Sequence, residues 1–352
     1  MKDIPYPYDT ALYSRLFLNC SQRQSLVMLA ERGRPVHQLL FRGLVSTDEI
    51  LRQIIREQRP KYGFESGVVG REDLALIGVA GEEAVFETYA DARALLLDVV
   101  AQEGFAILVG DVFYWPHCPE YRTKHLVHTI VLTGYDSATG AWHVVDDNPA
   151  SLLCSYTYPE DVVAASFDHN ELRRVRYFTT KDLDPAHAVQ GTREAFAALL
   201  AEYRDSHALL AGVEDLISCR WIAPERVFAS LHAAFSLYQG SRTALREYLR
   251  HASGDPVLDA LLDRIVRGAA DGMNQMLLAQ VTGAIDVRWT AEACLALQRA
   301  EEELLSRLRT VAGVTATGTT TGTTAGTSTA GTTTATPAGT TTGTSTATGG
   351  GT

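Results

Sequence analysis

Apolar and polar positions change period along this chain, and the change divides it. From Ser21 to Glu31 the segment SQRQSLVMLAE spaces its apolar residues as a helix does, and Gly33 and Pro35 close it, which puts Cys20 at the helix head. Further helical spacing runs from Thr47 to Gln58, with Thr47 and Asp48 suited to cap it, and from Tyr89 to Gln102, stopped by Gly104. The period then shortens. Phe105–Trp115, His128–Tyr135 and Trp142–Asp146 are short, β-branched and aromatic, and Asp136–Gly140 between the last two reads as a hairpin loop. Arg174–Thr180 adds a further strand. Pro185 breaks the chain, and alanine- and leucine-rich helical spacing dominates from Thr192 to Arg309.

This order, helix then antiparallel strands then a block of helices, predicts an α+β domain over residues 1–184 followed by an all-α domain over 185–310. Residues 311–352 carry no charge and consist almost entirely of Thr, Gly, Ala and Ser. Such a segment has little large apolar surface to offset the entropy of ordering it, so a disordered tail is expected there.

Composition narrows the function classes. The 352 residues carry a formal net charge of −11, which argues against nucleic acid as the main partner. The opening MKDIPYPYD has acid and proline where a secretory signal needs an apolar run, and no apolar stretch reaches the roughly 18 residues of a membrane helix. The five cysteines (Cys20, Cys118, Cys154, Cys219, Cys294) are scattered and odd in number. They suit free thiols in a reducing cytoplasm rather than a disulfide framework.

Three positions could do chemistry together: Cys20 opening a helix, His128 opening a strand, and Asp146 closing the next one. A helix N-terminus and a neighbouring imidazolium both lower a thiol pKa, the imidazole moves the proton, and a carboxylate on its other nitrogen fixes the tautomer. Strands joined by a short hairpin bring His128 and Asp146 close. Asp147 competes for the orienting role, since only one of two adjacent strand residues faces the histidine.

Asn19-Cys20 before a helix, Tyr114-Trp115-Pro116 through Tyr121, Lys124-His125 and His128, then Gly134-Tyr135-Asp136 and Val144-Val145-Asp146, together resemble the N-terminal domain of the butirosin-biosynthesis H-like family over roughly residues 10–180. The resemblance implies a papain-like fold and transfer of an acyl group from an acyl carrier protein thioester to an amine, or hydroxyl, of a small-molecule natural-product intermediate. It implies Cys20 as nucleophile, His128 as general base and Asp146 as orienting acid, with Asn19, Tyr114 and His125 beside the substrate. It also implies no cofactor of the enzyme's own, because phosphopantetheine arrives on the carrier partner. Papain-like peptidases usually carry an oxyanion-hole glutamine six positions before the cysteine, where this chain has Ser14. The Cys20 N–H and the Asn19 side chain are the substitutes. A homodimer is compatible with the helical block.

Other readings of the same residues remain open. A papain-like peptidase or amidase would use water as acceptor, and a non-catalytic module would only hold a carrier domain. His117, Cys118, His125 and His128 are zinc-ligand types within twelve positions, although their spacing fits no common zinc module, so no metal is expected. Tyr6, Tyr8 and Tyr13 could wall a pocket. Arg173-Arg174-x-Arg176 and the group Arg23, Arg32, Arg34 and Arg42 would suit an acidic carrier domain.

Overall fold

The structure, a computed structural model, describes residues 3–313, which lie within one compact unit. In chain order the elements are β1 (Ile4–Pro5), α1 (Cys20–Glu31), α2 (Thr47–Ile50), α3 (Arg71–Leu76), β2 (Val79–Val85), α4 (Tyr89–Glu103), β3 (Ala106–Asp111), β4 (Val127–Asp136), β5 (Ala141–Asp147), β6 (Leu153–Pro159), α5 (Glu160–Asp168), β7 (Arg174–Thr180), α6 (Pro185–Glu202), α7 (Ala208–Ala211), α8 (Val213–Ile217), α9 (Pro224–Ala252), α10 (Pro256–Thr282) and α11 (Val287–Val311). The fold is mixed α/β, with a seven-stranded antiparallel sheet ordered β1-β6-β5-β4-β3-β7-β2. The tail expected from residue 311 onward lies, beyond Gly313, outside the described residues.

The β4–β5 hairpin forms where its turn chemistry directs. Asp136 accepts from the Ala138 N–H at 2.9 Å and from Thr139 Oγ1 at 2.7 Å, and Gly140 supplies the positive φ of +66° that closes the loop. Side chains then alternate across the sheet. Ile107, Val131 and Val145 face a core shared with α1 and the helical block. Leu108, Ile130, Leu132 and Val144 face a second core closed by α4 and α5.

The first of these cores joins both halves of the chain. Leu26 and Phe41 pack in it together with Tyr248 and Leu304. Phe41, Phe196 and Tyr248 meet edge to face at centroid distances of 5.1 to 6.3 Å. A fully buried ion pair ties the helices back to the N-terminal segment: Arg242 reaches Glu301 at 2.7 and 3.1 Å and also donates to the Val45 carbonyl at 2.9 Å. The change of pattern near residue 185 therefore marks where strands give way to helices, while the apolar core runs through it.

Several elements differ from the sequence expectation. The strand read over Phe105–Trp115 ends at Asp111 and turns into a single 3-10 turn, Val112–Tyr114, whose amide at Phe113 is capped by Asp111 at 3.0 Å. The helix read over Thr47–Gln58 is α-helical only to Ile50 and continues with π-helical hydrogen bonding from Leu51 to Arg56. Strands β2 and β6 and helices α3 and α5 were not anticipated.

Candidate active site

Helix α1 starts at Cys20 because Asn19 caps it. Asn19 Oδ1 accepts from the Gln22 N–H at 2.9 Å, and Gln22 Oε1 accepts from the Asn19 N–H at 3.1 Å, a reciprocal box that satisfies two otherwise orphaned donors. The Cys20 N–H finds no acceptor among the described residues. The polar residues that follow, Gln22, Arg23, Gln24 and Ser25, are all buried, so one turn of helix is committed to holding the neighbourhood of the thiol. Gln22 Nε2 is anchored on Ser66 Oγ and the Val68 carbonyl, both at 2.9 Å.

The helix packs on β3 and β4, and β4 carries His128 near its start. Cys20, Asn19, His128 and Thr129 line one cavity of about 640 Å³. His128 Nε2 lies 2.8 and 3.0 Å from the two oxygens of Asp146, which leaves Nδ1 as the ring nitrogen for proton exchange with the thiol. Asp146 is fully buried and bridges more than one partner. His117 Nε2 lies 2.9 Å from it, Gln24 Nε2 donates at 3.1 Å, and the Asp147 N–H donates at 2.8 Å.

The electrostatics follow from these contacts. Burial pushes the Asp146 carboxyl up, but the charges and hydrogen bonds of His128 and His117 outweigh it and hold the group well below the usual carboxylate range. Burial likewise disfavours a charged His128, yet Asp146 and then Cys20 hold its pKa well above that of an ordinary imidazole. For Cys20, burial acts upward. The adjacent His128, with smaller contributions from Thr129 and Arg23, brings the thiol from the ordinary 9.0 down to about 7. A thiolate–imidazolium pair is thus populated near neutral pH. The other shifted cysteines move the opposite way: burial raises Cys118, Cys154 and Cys294.

Asp147, the alternative orienting acid, points elsewhere. It pairs with Arg15 at 3.0 Å, and burial followed by the charge of Asp146 raises its pKa. Tyr114 and His125 are not brought to the thiol. Tyr114 lies tilted against His169, ring centroids 4.9 Å apart, and lines a separate surface cavity with Phe113, Tyr121 and Arg122. His125 stacks on Phe113 at 4.2 Å, places Nδ1 2.6 Å from Asp111, and is two-thirds exposed. The quartet His117, Cys118, His125 and His128 therefore does not converge. His117, Cys118 and Asp146 do lie close enough to share an ion. Both Asp146 oxygens there already serve the imidazoles.

No family model matches the chain. Over 297 residues, 83% of this chain and 94% of the relative, it is 25% identical to a Niallia circulans protein named ribostamycin:4-(gamma-L-glutamylamino)-(S)-2-hydroxybutanoyl-[BtrI acyl-carrier protein] 4-(gamma-L-glutamylamino)-(S)-2-hydroxybutanoate transferase. The resemblance to the butirosin H-like family is borne out. Two residues that sequence reasoning gave no catalytic part belong to the site's polar network. His117 had been grouped with zinc-type ligands, but it shares Asp146 with His128, and its Nδ1 lies 2.7 Å from the Tyr158 hydroxyl. Gln24 carried no signal beyond being a polar residue on the buried side of a helix. It ties α1 both to Asp146 and, at 2.7 Å, to the Thr129 carbonyl.

Among the described residues no helix is long and apolar enough to cross a membrane, and all five cysteines are free thiols.

Proposed function

We propose that this chain is a papain-like, cysteine-dependent acyltransferase of natural-product assembly, taking an acyl group from an acyl carrier protein thioester and passing it to an amine or hydroxyl of a small-molecule intermediate in the cytoplasm. The observation that carries the reading is Cys20 at a capped helix start beside a His128–Asp146 pair, its thiol drawn down to about 7. The similarity to a transferase named for an acyl-carrier-protein donor supplies the reaction class.

In this reading the Cys20 thiolate adds to the thioester carbonyl. The tetrahedral oxyanion collapses, the carbon–sulfur bond to the phosphopantetheine arm breaks, and the departing thiolate takes the proton held on His128. Exchanging one thioester for another is nearly neutral in energy, which suits a sulfur nucleophile. The acceptor amine then attacks the acyl-cysteine while His128 removes its proton, and Cys20 leaves as a thiolate. Asp146 keeps the imidazole oriented and favours its charged form throughout.

The oxyanion is assigned to the Cys20 N–H at the positive end of α1. Asn19 Oδ1 is occupied by the cap, so only its amide NH₂ is free to assist. Phosphopantetheine is supplied by the carrier partner. Tyr114 and His125 lie outside the Cys20 cavity, so any contact they make is with the carrier domain or with a distal part of the substrate.

The test is transfer from an acyl carrier protein to an aminoglycoside amine, followed by mass spectrometry of the small-molecule product. Acylated amine that disappears with Cys20→Ala supports the proposal. Release of the free acid at the same rate with and without the amine would make the chain a hydrolase instead.

A further inference from the structure

Arg23 is four per cent exposed and lines the Cys20 cavity, yet none of its side-chain nitrogens makes a hydrogen bond among the described residues. Its Nε and Nη1 are buried without partners. Its guanidinium lies 4.4 Å over the ring of Tyr13, whose hydroxyl is likewise buried and unpartnered. Buried donors of this kind are almost always satisfied, and an arginine presents them as a planar fork matched to a carboxylate.

The charge around Arg23 is unbalanced in the same sense. Arg15 and Lys61 line the cavity beside it. Among the described residues the one carboxylate within 4.0 Å of Arg23 is Asp147, already paired with Arg15 at 3.0 Å and, at 4.0 Å from Arg23 Nη1, beyond hydrogen-bond reach. Lys61 donates to Ser236 Oγ at 2.6 Å, and its pKa is lowered first by burial and then by the charges of Arg15 and Arg23. At the opposite rim Glu83 is held by Arg174 at 3.2 Å, and Arg176 donates to the Val69 carbonyl at 3.0 Å. Arg15 and Arg23 thus share the carboxylate of Asp147, with Lys61 lining the same cavity, in a protein whose net charge is −11.

We propose that Arg23, supported by Arg15 and Lys61, is an anion subsite that seats a carboxylate carried by the donor's acyl group. The inference rests on the acyl-transfer reading for the identity of the ligand but not for the existence of the site. Spacing selects the carboxylate. Cys20 and Arg23 stand three residues apart on one helix and line one cavity, and the guanidinium is near enough for its charge to help draw down the Cys20 thiol. An anion on Arg23 is therefore a few bonds from the carbonyl attached to Cys20, whereas the phosphodiester of the carrier is removed from its sulfur by the whole pantetheine arm.

The site is tested in two ways. In the first, Cys20 is alkylated with uncharged iodoacetamide in the presence of glutaramate, which has one carboxylate, or of the uncharged diamide glutaramide. Glutaramate should protect the wild-type thiol and glutaramide should not, and Arg23→Gln should abolish the difference. Equal protection by both, or by neither, overturns the anion site whatever the transfer assays show, and needs no variant to be folded.

In the second, acylation of Cys20 by the N-acetylcysteamine thioester of glutarate is compared with that of its terminal amide. A charge-assisted pair predicts a preference of roughly 10- to 100-fold for the carboxylate. The preference should fall towards one in Arg23→Gln and be partly kept in Arg23→Lys, which retains the charge without the fork. A preference that survives Arg23→Gln overturns the assignment. So does a wild-type preference for phosphopantetheine over pantetheine thioesters that Arg23→Gln removes, because the anion would then be the arm's phosphate. If neither thioester acylates Cys20 while glutaramate still protects it, the acyl-transfer reading fails and the anion site stands.

Discussion

Replacing Asp146 by Asn removes the charge that keeps His128 protonated while conserving the shape of the side chain. The His128 side chain is about four-fifths buried, and without that carboxylate burial favours the neutral imidazole. Cys20 then loses the imidazolium that offsets its own burial, and its pKa moves from about 7 back towards the ordinary 9.0. At pH 7 a full return would reduce the thiolate from about one half to about one per cent of the enzyme, a loss of roughly 50-fold. The more basic thiolate is intrinsically the better nucleophile, and a Brønsted slope of about 0.4–0.5 over two units recovers roughly 8-fold. The net expectation is alkylation roughly 6-fold slower at pH 7 and faster than wild type at high pH, so the two pH–rate curves cross. The assay is the iodoacetamide rate at Cys20 from pH 5 to 10, read by peptide mass. An unmoved midpoint in Asp146→Asn would refute the electrostatic account, and a shift in Asp147→Asn alone would mean that the neighbouring acid is the orienting one.

Acid should bring the same variant and the wild type together in stability. A carboxyl held below its unfolded pKa stabilises the fold above that unfolded value and loses the contribution as pH falls through the folded one, so the gap between wild type and Asp146→Asn in urea unfolding should be widest near neutral pH and close in strong acid. Glu301→Ala leaves the fully buried Arg242 without its counter-charge and should cost about 3–5 kcal/mol in denaturant unfolding, with loss of sheet and helix signals in one transition because both halves share that core. Gly43→Ala should destabilise by about 1–3 kcal/mol, since an added Cβ meets the Ser241 carbonyl at 2.5 Å and the Leu245 amide at 2.6 Å on α9. Gln24→Leu keeps the helix but removes a donor from Asp146 and from Thr129, and is expected to slow Cys20 alkylation at pH 7 less than Asp146→Asn does.

The sequence exposed the elements whose local chemistry is strong. The first helix, the β4–β5 hairpin and the β7 strand lie within a residue or so of where spacing and turn residues put them, because caps and turns are short-range devices. Strand β2 escaped notice because it is an edge strand, and Glu82 and Glu83 in its middle face solvent and leave no apolar alternation to read. Strand β6 does alternate, with Cys154, Tyr156 and Tyr158 buried, but its tyrosines sit among polar residues in a stretch that resembles a loop. The register that turns Asp146 rather than Asp147 towards His128 is a tertiary fact, since adjacent strand residues are equivalent candidates until the sheet is paired. Arg23 read as one of a basic group around the first helix suited to an acidic carrier domain. Its burial depends on Tyr13 and on the cavity, neither of which the helix pattern of α1 encodes.

The central claim is that Cys20 carries the acyl group between donor and acceptor. Intact-protein mass, measured within seconds of mixing the chain with acylated carrier protein and no acceptor, tests it most directly. The account predicts a mass increase of one acyl group, located on Cys20 by peptide mapping, absent in Cys20→Ala and discharged when an amine acceptor is added. Product formation at the wild-type rate by Cys20→Ala, or an acyl adduct on any residue other than Cys20, would contradict it.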